Sequence, residues 1–155
     1  MSDIFGKILG IVLVFLLCVL APISIIVLTD DMTDRRNIFN EMTNFVDTVI
    51  DSDKISEAQL RDFYYGVSSY GPQCSVEIVQ YIRVVTPGAQ EGEAKISYVP
   101  VNITTQAETD VTLTTGDIVK VHVHATSYTG VQQFVHATIG MLLHPIDFTV
   151  SGKVR

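Results

Sequence analysis

The sequence predicts an α+β protein. A long N-terminal helix, apolar along its first half, is followed by a small head of one or two helices on an antiparallel sheet of about four strands. Three observations carry this expectation. Ile8 to Thr29 contains no charged side chain. Apolar residues then recur at helical spacing from Ile38 to Val49. Beyond Cys74 the apolar period changes to two.

The uncharged run is about 22 residues, or roughly 33 Å of helix, enough to cross a bilayer core. It is too long for the apolar region of a signal peptide, and no small-x-small cleavage signal follows it. Residues 1–29 are therefore read as a transmembrane or filament-core helix and residues 30–155 as the head. Pro22 lies inside the run and removes one backbone donor, so a kink is expected there. Gly6 and Gly10 form a G-x-x-x-G spacing that lets helices approach closely. With Val14, Leu17 and Pro22 they make up the expected assembly interface.

Past the run, Ile38, Met42, Phe45, Val46 and Val49 form one apolar stripe, with Asp34, Glu41, Asp47 and Asp51 mainly on other sides. This predicts one continuous helix from about residue 5 to 51. The alternative is a second helix capped by Asp30 or Asp31. Ser56 with Gln59 reads as a capping box, and Ile55 with Leu60 as a hydrophobic staple. Leu60, Phe63, Tyr64 and Val67 supply the buried face of that next helix, and Gly71-Pro72 stops it.

In the stretch from Cys74 to Val85, alternation places Val76, Ile78, Ile82 and Val84 on one face. The predicted head core is Ile38, Met42, Phe45, Val49, Leu60, Val76, Ile78 and Ile82. Residues 95–104 read as a second strand, with Pro100 confining it to an edge or a bulge. Leu113 to Asp117 is a turn that launches a third strand from Ile118. Val131 to Leu143 has helical spacing, weakened at Gly140. Residues 146–154 alternate as the last strand.

The net charge is −7 and no basic cluster exists, which argues against nucleic-acid binding. Cys18 lies in the apolar run and Cys74 in the head, so a bridge between them within one subunit is implausible. His122 and His124 share one strand face and could offer two imidazoles to zinc, with His136, His144 or Asp147 to complete a set. No HExxH or CxxC pattern supports this, and a packed or solvated polar face is the preferred reading. Asp30, Asp31, Asp34, Asp47, Asp51 and Asp53 lack the order of a calcium loop. No nucleophile elbow, Walker loop or dinucleotide fingerprint is present. Asn102-Ile103-Thr104 fits a glycosylation sequon. The expectation is a protein that is not an enzyme and uses no cofactor and no metal.

The apolar start FGKILGIVLVFLLCVLAPISIIVL, the helical stretch NIFNEMTNFVDTVIDSDKISEAQLRDFYYGV and the segment TTGDIVKVHVHATSYTGVQQFVHATIG together cover most of the chain. In them, the chain resembles small single-span proteins of Tad-like type IV pilus gene clusters in Gram-positive bacteria. The resemblance implies a pilin-like subunit or pilus-assembly component. One feature departs from type IV pilins, which carry a Glu at the fifth mature position. A cut after Gly6 would put Ile11 there and a cut after Gly10 would put Phe15 there.

The expected function is a structural subunit of a pilus-like surface filament or its assembly platform. Its partners would be copies of itself or other pilin-like subunits, met through the apolar helix, and membrane lipid. The alternative is a single-pass anchored module that binds an extracytoplasmic partner. The head is expected outside the cytoplasm, at the membrane or on an extracellular filament.

Overall fold

The computed structural model describes residues 2–70, 73–87, 94–104, 110–140 and 144–155. A single helix, α1, runs from Ser2 to Ser52, 51 residues with Pro22 inside it. The apolar run and the amphipathic stripe therefore share one backbone, and the separately capped second helix is not formed. Ser24 and Thr29 fold their hydroxyls back onto the carbonyls of Leu20 and Ile25, each at 2.8 Å, so neither hydroxyl seeks a partner outside the helix. The helix ends at Asp53, which takes φ 51°, a left-handed conformation that Asp adopts more readily than most side chains.

Past that turn the chain forms β1 (Lys54–Ile55) and α2 (Glu57–Ser69). The predicted capping box is complete: Ser56 Oγ accepts from Gln59 N–H, and Gln59 Oε1 accepts from Ser56 N–H. Ile55 and Leu60, the staple pair, are both buried. α2 lays Leu60, Phe63 and Val67 toward the core. Phe63 stacks on Phe45 of α1 with centroids 4.5 Å apart and planes at 19°. The stop expected at Gly71-Pro72 lies outside the described residues.

The main sheet is built from β2 (Cys74–Pro87), β3 (Ala94–Asn102), β5 (Ile118–Ala125) and β6 (Asp147–Lys153), with β4 (Val111–Thr112) pairing separately with β1. The order is β3-β2-β5-β6 and every pairing is antiparallel. Pro100 sits in β3, an edge strand, where the missing N–H breaks no central ladder. A third helix, α3 (Gly130–Ile139), connects β5 toward β6. Its own capping box joins Thr129 to Gln132, and Gly140 closes it. The expected continuation to Leu143 falls outside the described residues.

One face of the sheet packs on α1. Ile38, Met42 and Val49 are wholly buried among Ile78, Val119, Val121 and Val123. β6 runs alongside the helix: Phe148 meets Phe39 edge-on at 5.8 Å. Four residues later, a Cβ on Gly152 would strike Ile50 and come within 2.8 Å of Val46 Cγ1. Helix and strand touch most closely there, and only a residue without a side chain fits.

One predicted core residue is misplaced. Ile82 is only half-buried and lies outside the core cluster, and Val84 on the same face is 39% exposed. β2 is 14 residues long and runs beyond the end of α1. Its outer half pairs with β3 alone as a two-stranded ribbon that none of the described residues covers. Before it leaves the core, the strand buries Gln80, 4% exposed, between Ile78 and Ile82 in the alternation, a polar residue that the predicted core did not include.

Two substitutions test this packing in full-length protein held in detergent. Phe45→Ala removes the ring stacked on Phe63 and is expected to cost about 3–5 kcal/mol. Gly152→Ala is expected to cost about 1–3 kcal/mol through overpacking. Chemical denaturation followed by circular dichroism measures both, and an unchanged midpoint in either variant contradicts the packing described.

Candidate functional site

The apolar half of α1 is bare. Gly6, Gly10, Val14, Leu17 and Pro22, the predicted assembly residues, are all exposed. The most apolar stretch of the helix has none of its residues buried by the rest of the chain, and it is long and apolar enough to cross a membrane. A Cβ added at Gly6 or Gly10 would meet nothing within 4 Å. Lys7, Gly10, Ile11, Val14, Phe15 and Cys18 line a shallow apolar depression of about 630 Å³ on this surface. Phe15 is 69% and Val14 59% exposed, an arrangement that water does not tolerate over such a length.

Where the bare segment ends, polar bonds tie the head to the helix. Asp31 is buried on α1. One of its oxygens accepts from Arg35 Nε at 2.7 Å, one turn on, and the other from Gln132 Nε2 of α3 at 3.0 Å. Gln132 Oε1 simultaneously accepts from Thr129 N–H, so this one side chain caps α3 and docks it. Arg35 also donates to the His144 carbonyl. Burial, then the charges of Asp30 and Asp31, push the Asp34 carboxyl up. Sequence reasoning placed these aspartates at the end of the span without seeing that one is matched by a glutamine 101 residues away.

A second buried carboxylate organises the far end of the sheet. Asp117 is 1% exposed. Its carboxylate accepts from Gln80 Nε2 at 2.8 Å, Arg83 N–H at 2.9 Å, and Thr114 N–H and Oγ1 at 3.1 and 2.9 Å. Its main chain continues the linkage, since Val154 N–H donates to the Asp117 carbonyl. Gly116, at φ 98°, makes the turn that aims the carboxylate inward, and the Arg83 stem lies across it. Burial raises the Asp117 carboxyl, but the bonds from Arg83, Thr114 and Gln80 outweigh it and hold the group below the usual carboxylate range. The Gly116-Asp117 turn was legible in the sequence, but its partner Gln80 was not.

The outer sheet face carries the histidine pair. His122 Nε2 lies 2.8 Å from Asp147 Oδ1, its Nδ1 lies 3.9 Å from Glu77, and its ring stacks on His124 at 5.5 Å. Paired to a carboxylate and stacked, these rings form a polar surface. Among the described residues, no group of three or more His, Cys, Asp or Glu side chains could hold a metal ion. Burial pushes the Cys74 thiol up, which disfavours the thiolate that a nucleophile needs. In the sequon, Asn102 Oδ1 accepts from Thr104 N–H, and Thr104 Oγ1 accepts from Ile78 N–H. The two polar residues thus terminate β3 against β2.

An open groove of about 830 Å³ lies at the end of the head far from the bare helix. Arg83, Lys153 and Arg155 line it together with Asp47, Asp51, Gly116 and Gly152. Opposed charges of both signs suit a polar ligand better than an apolar one.

No family model, no curated protein and no solved structure matches this chain.

The Asp117 linkage gives stability a defined acid limb. The folded-state pKa is depressed below the unfolded value of about 3.9. The contribution is therefore complete above about pH 4 and is lost as pH falls through the folded pKa. Asp117→Ala strands the buried Gln80 amide and three part-buried donors and is expected to cost on the order of 3 kcal/mol near neutral pH. Asp117→Asn should flatten the acid limb of a stability–pH curve. If the wild type and Asp117→Asn lose stability in parallel below pH 4, Asp117 is not the titrating group. A strong chelator is expected to leave the melting temperature unchanged, and a fall restored by zinc would give His122 and His124 a metal role.

Proposed function

We propose that this chain is a structural subunit of a pilus-like surface filament or of the platform that assembles one. The observation that carries the proposal is a bare apolar helix continuous with the helix that forms the floor of the head. Such a subunit works by burial rather than by chemistry. Each Leu, Ile, Val or Phe side chain taken from water contributes on the order of 1.5–3 kcal/mol. Copies laid side by side would bury these side chains in a shared core and leave the polar heads outside. Until copies cover it, lipid must, so the subunit has a bilayer-resident state before assembly. The head stands outside the cytoplasm in this reading.

The groove between Arg83, Lys153, Asp47 and Asp51 favours a second reading, in which the chain is a single-pass anchored module that binds a polar partner at the tip of its head. The two readings differ in what they demand of the helix. A filament needs close helix contacts along a stripe, whereas lipid needs only apolarity.

Gly10→Leu separates them. The added side chain meets nothing in its own subunit and keeps the segment apolar, so membrane insertion and head stability are expected to be preserved. Filaments seen by electron microscopy in the wild type are expected to be lost through overpacking between subunits. Normal filaments in the variant would rule out close packing at Gly10. A wild type that yields no filament in any native preparation would leave the anchored module.

A further inference from the structure

We propose that, in its bilayer-resident state, the head is seated on the membrane itself, with α3 and the turn before it lying in the phospholipid headgroup layer. The proposal rests on the membrane-spanning reading of α1 and adds the surface by which the head meets lipid.

The placement follows from one bond and one spacing. Thr29 is the last residue of the uncharged run, and Asp31 is two residues beyond it, about 3 Å along a helix axis. Asp31 is the residue that α3 grips, through Gln132 at 3.0 Å. Arg35, one turn further, holds the main chain at His144. The headgroup layer of each leaflet is about 5–7 Å thick, and a helix with its side chains is about 10 Å across. An element bonded at Asp31 has no room to stand clear of that layer.

The sheet agrees in direction. Phe148 at the start of β6 lies on Phe39, and Gly152 near its end lies against Val46 and Ile50, so β6 climbs α1 away from the apolar segment. By the strand pairing, Cys74, Ala125 and Asp147 then share the membrane-facing end. The β2–β3 ribbon and the groove at Arg83 lie at the opposite end.

The chemistry of the membrane-facing end suits a headgroup layer. Tyr128, 48% exposed, immediately precedes the α3 cap, and tyrosine is enriched at membrane–water boundaries. Arg36, His136 and His144 are exposed there and can meet lipid phosphates. Of the carboxylates at this end, Asp31 is paired with Arg35 and Asp147 lies against His122, while Asp30 and Asp34 stand within one turn of Asp31.

The chain contains no tryptophan, so a single introduced indole reports its own depth. Full-length Tyr128→Trp, Ala137→Trp, Ile96→Trp and Val14→Trp are each placed, at high dilution, in phosphatidylcholine–phosphatidylglycerol vesicles. All four positions are exposed, which keeps folding intact, and circular dichroism checks it. Tyr128→Trp and Ala137→Trp are expected to lose emission to lipids brominated near the headgroup and to be shielded from aqueous acrylamide. Ile96→Trp on the ribbon is expected to be quenched by acrylamide alone, and Val14→Trp by lipids brominated deep in the chains. If Val14→Trp is quenched by lipid while Tyr128→Trp and Ala137→Trp behave like Ile96→Trp, the head stands off the membrane and the proposal is overturned. If Val14→Trp is not quenched by lipid, the spanning reading fails and the proposal falls with it.

Discussion

The stripe of Ile38, Met42, Phe45 and Val49 is buried against the sheet because it belongs to a helix that has no other apolar face to offer there. Upstream, the same helix is apolar all round, and among the described residues that half finds nothing to pack against. One rigid rod therefore joins a segment that must leave water to a domain that must stay in it. The relation between the two is set by backbone hydrogen bonds rather than by a linker. The positions of the remaining elements follow from that rod. α2 stacks Phe63 on Phe45, β6 lies beside the helix where Gly152 permits contact, and α3 is held at Asp31.

Two buried carboxylates divide the polar work. Asp31 ties α3 to the helix at the end nearest the apolar run. Asp117 gathers Gln80, Arg83 and Thr114 at the other end, where β2 leaves the core. Each is buried with both of its oxygens hydrogen-bonded, which is the condition under which a carboxylate can leave water without a large penalty. Apolar packing alone would hold the sheet on the helix with little preference for register, because valine against valine is much the same one pair along. Directional bonds at both ends supply that preference.

The arrangement gives the head two unlike ends. One carries Tyr128 and α3 beside the apolar segment. The other carries the bare β2–β3 ribbon, with Val85, Ile96 and Val99 exposed, and a groove of mixed charge. Between the two ends, the outer sheet face carries His122, paired with Asp147 and stacked on His124, and the Cys74 thiol is half-buried.

Much of this was legible along the chain, because it depends on local spacing. The uncharged run, the stripe from Ile38 to Val49, the Ser56–Gln59 capping box and the alternation in β2 are each read within about two dozen neighbouring residues, and each forms the element expected of it. Missing motifs and an acidic balance are local facts too, and they shaped the expectation of a chain without enzymatic chemistry. Contacts between distant residues were not legible. Nothing near Gln80 announces that an amide in an apolar row will meet Asp117, and nothing near Asp31 points to Gln132. Ile82 obeys the alternation as well as Ile78 does, yet is only half-buried, because burial depends on how far the partner helix extends and not on the strand's own pattern. Periodicity states which face a residue takes, and only the packed structure decides whether anything lies over that face.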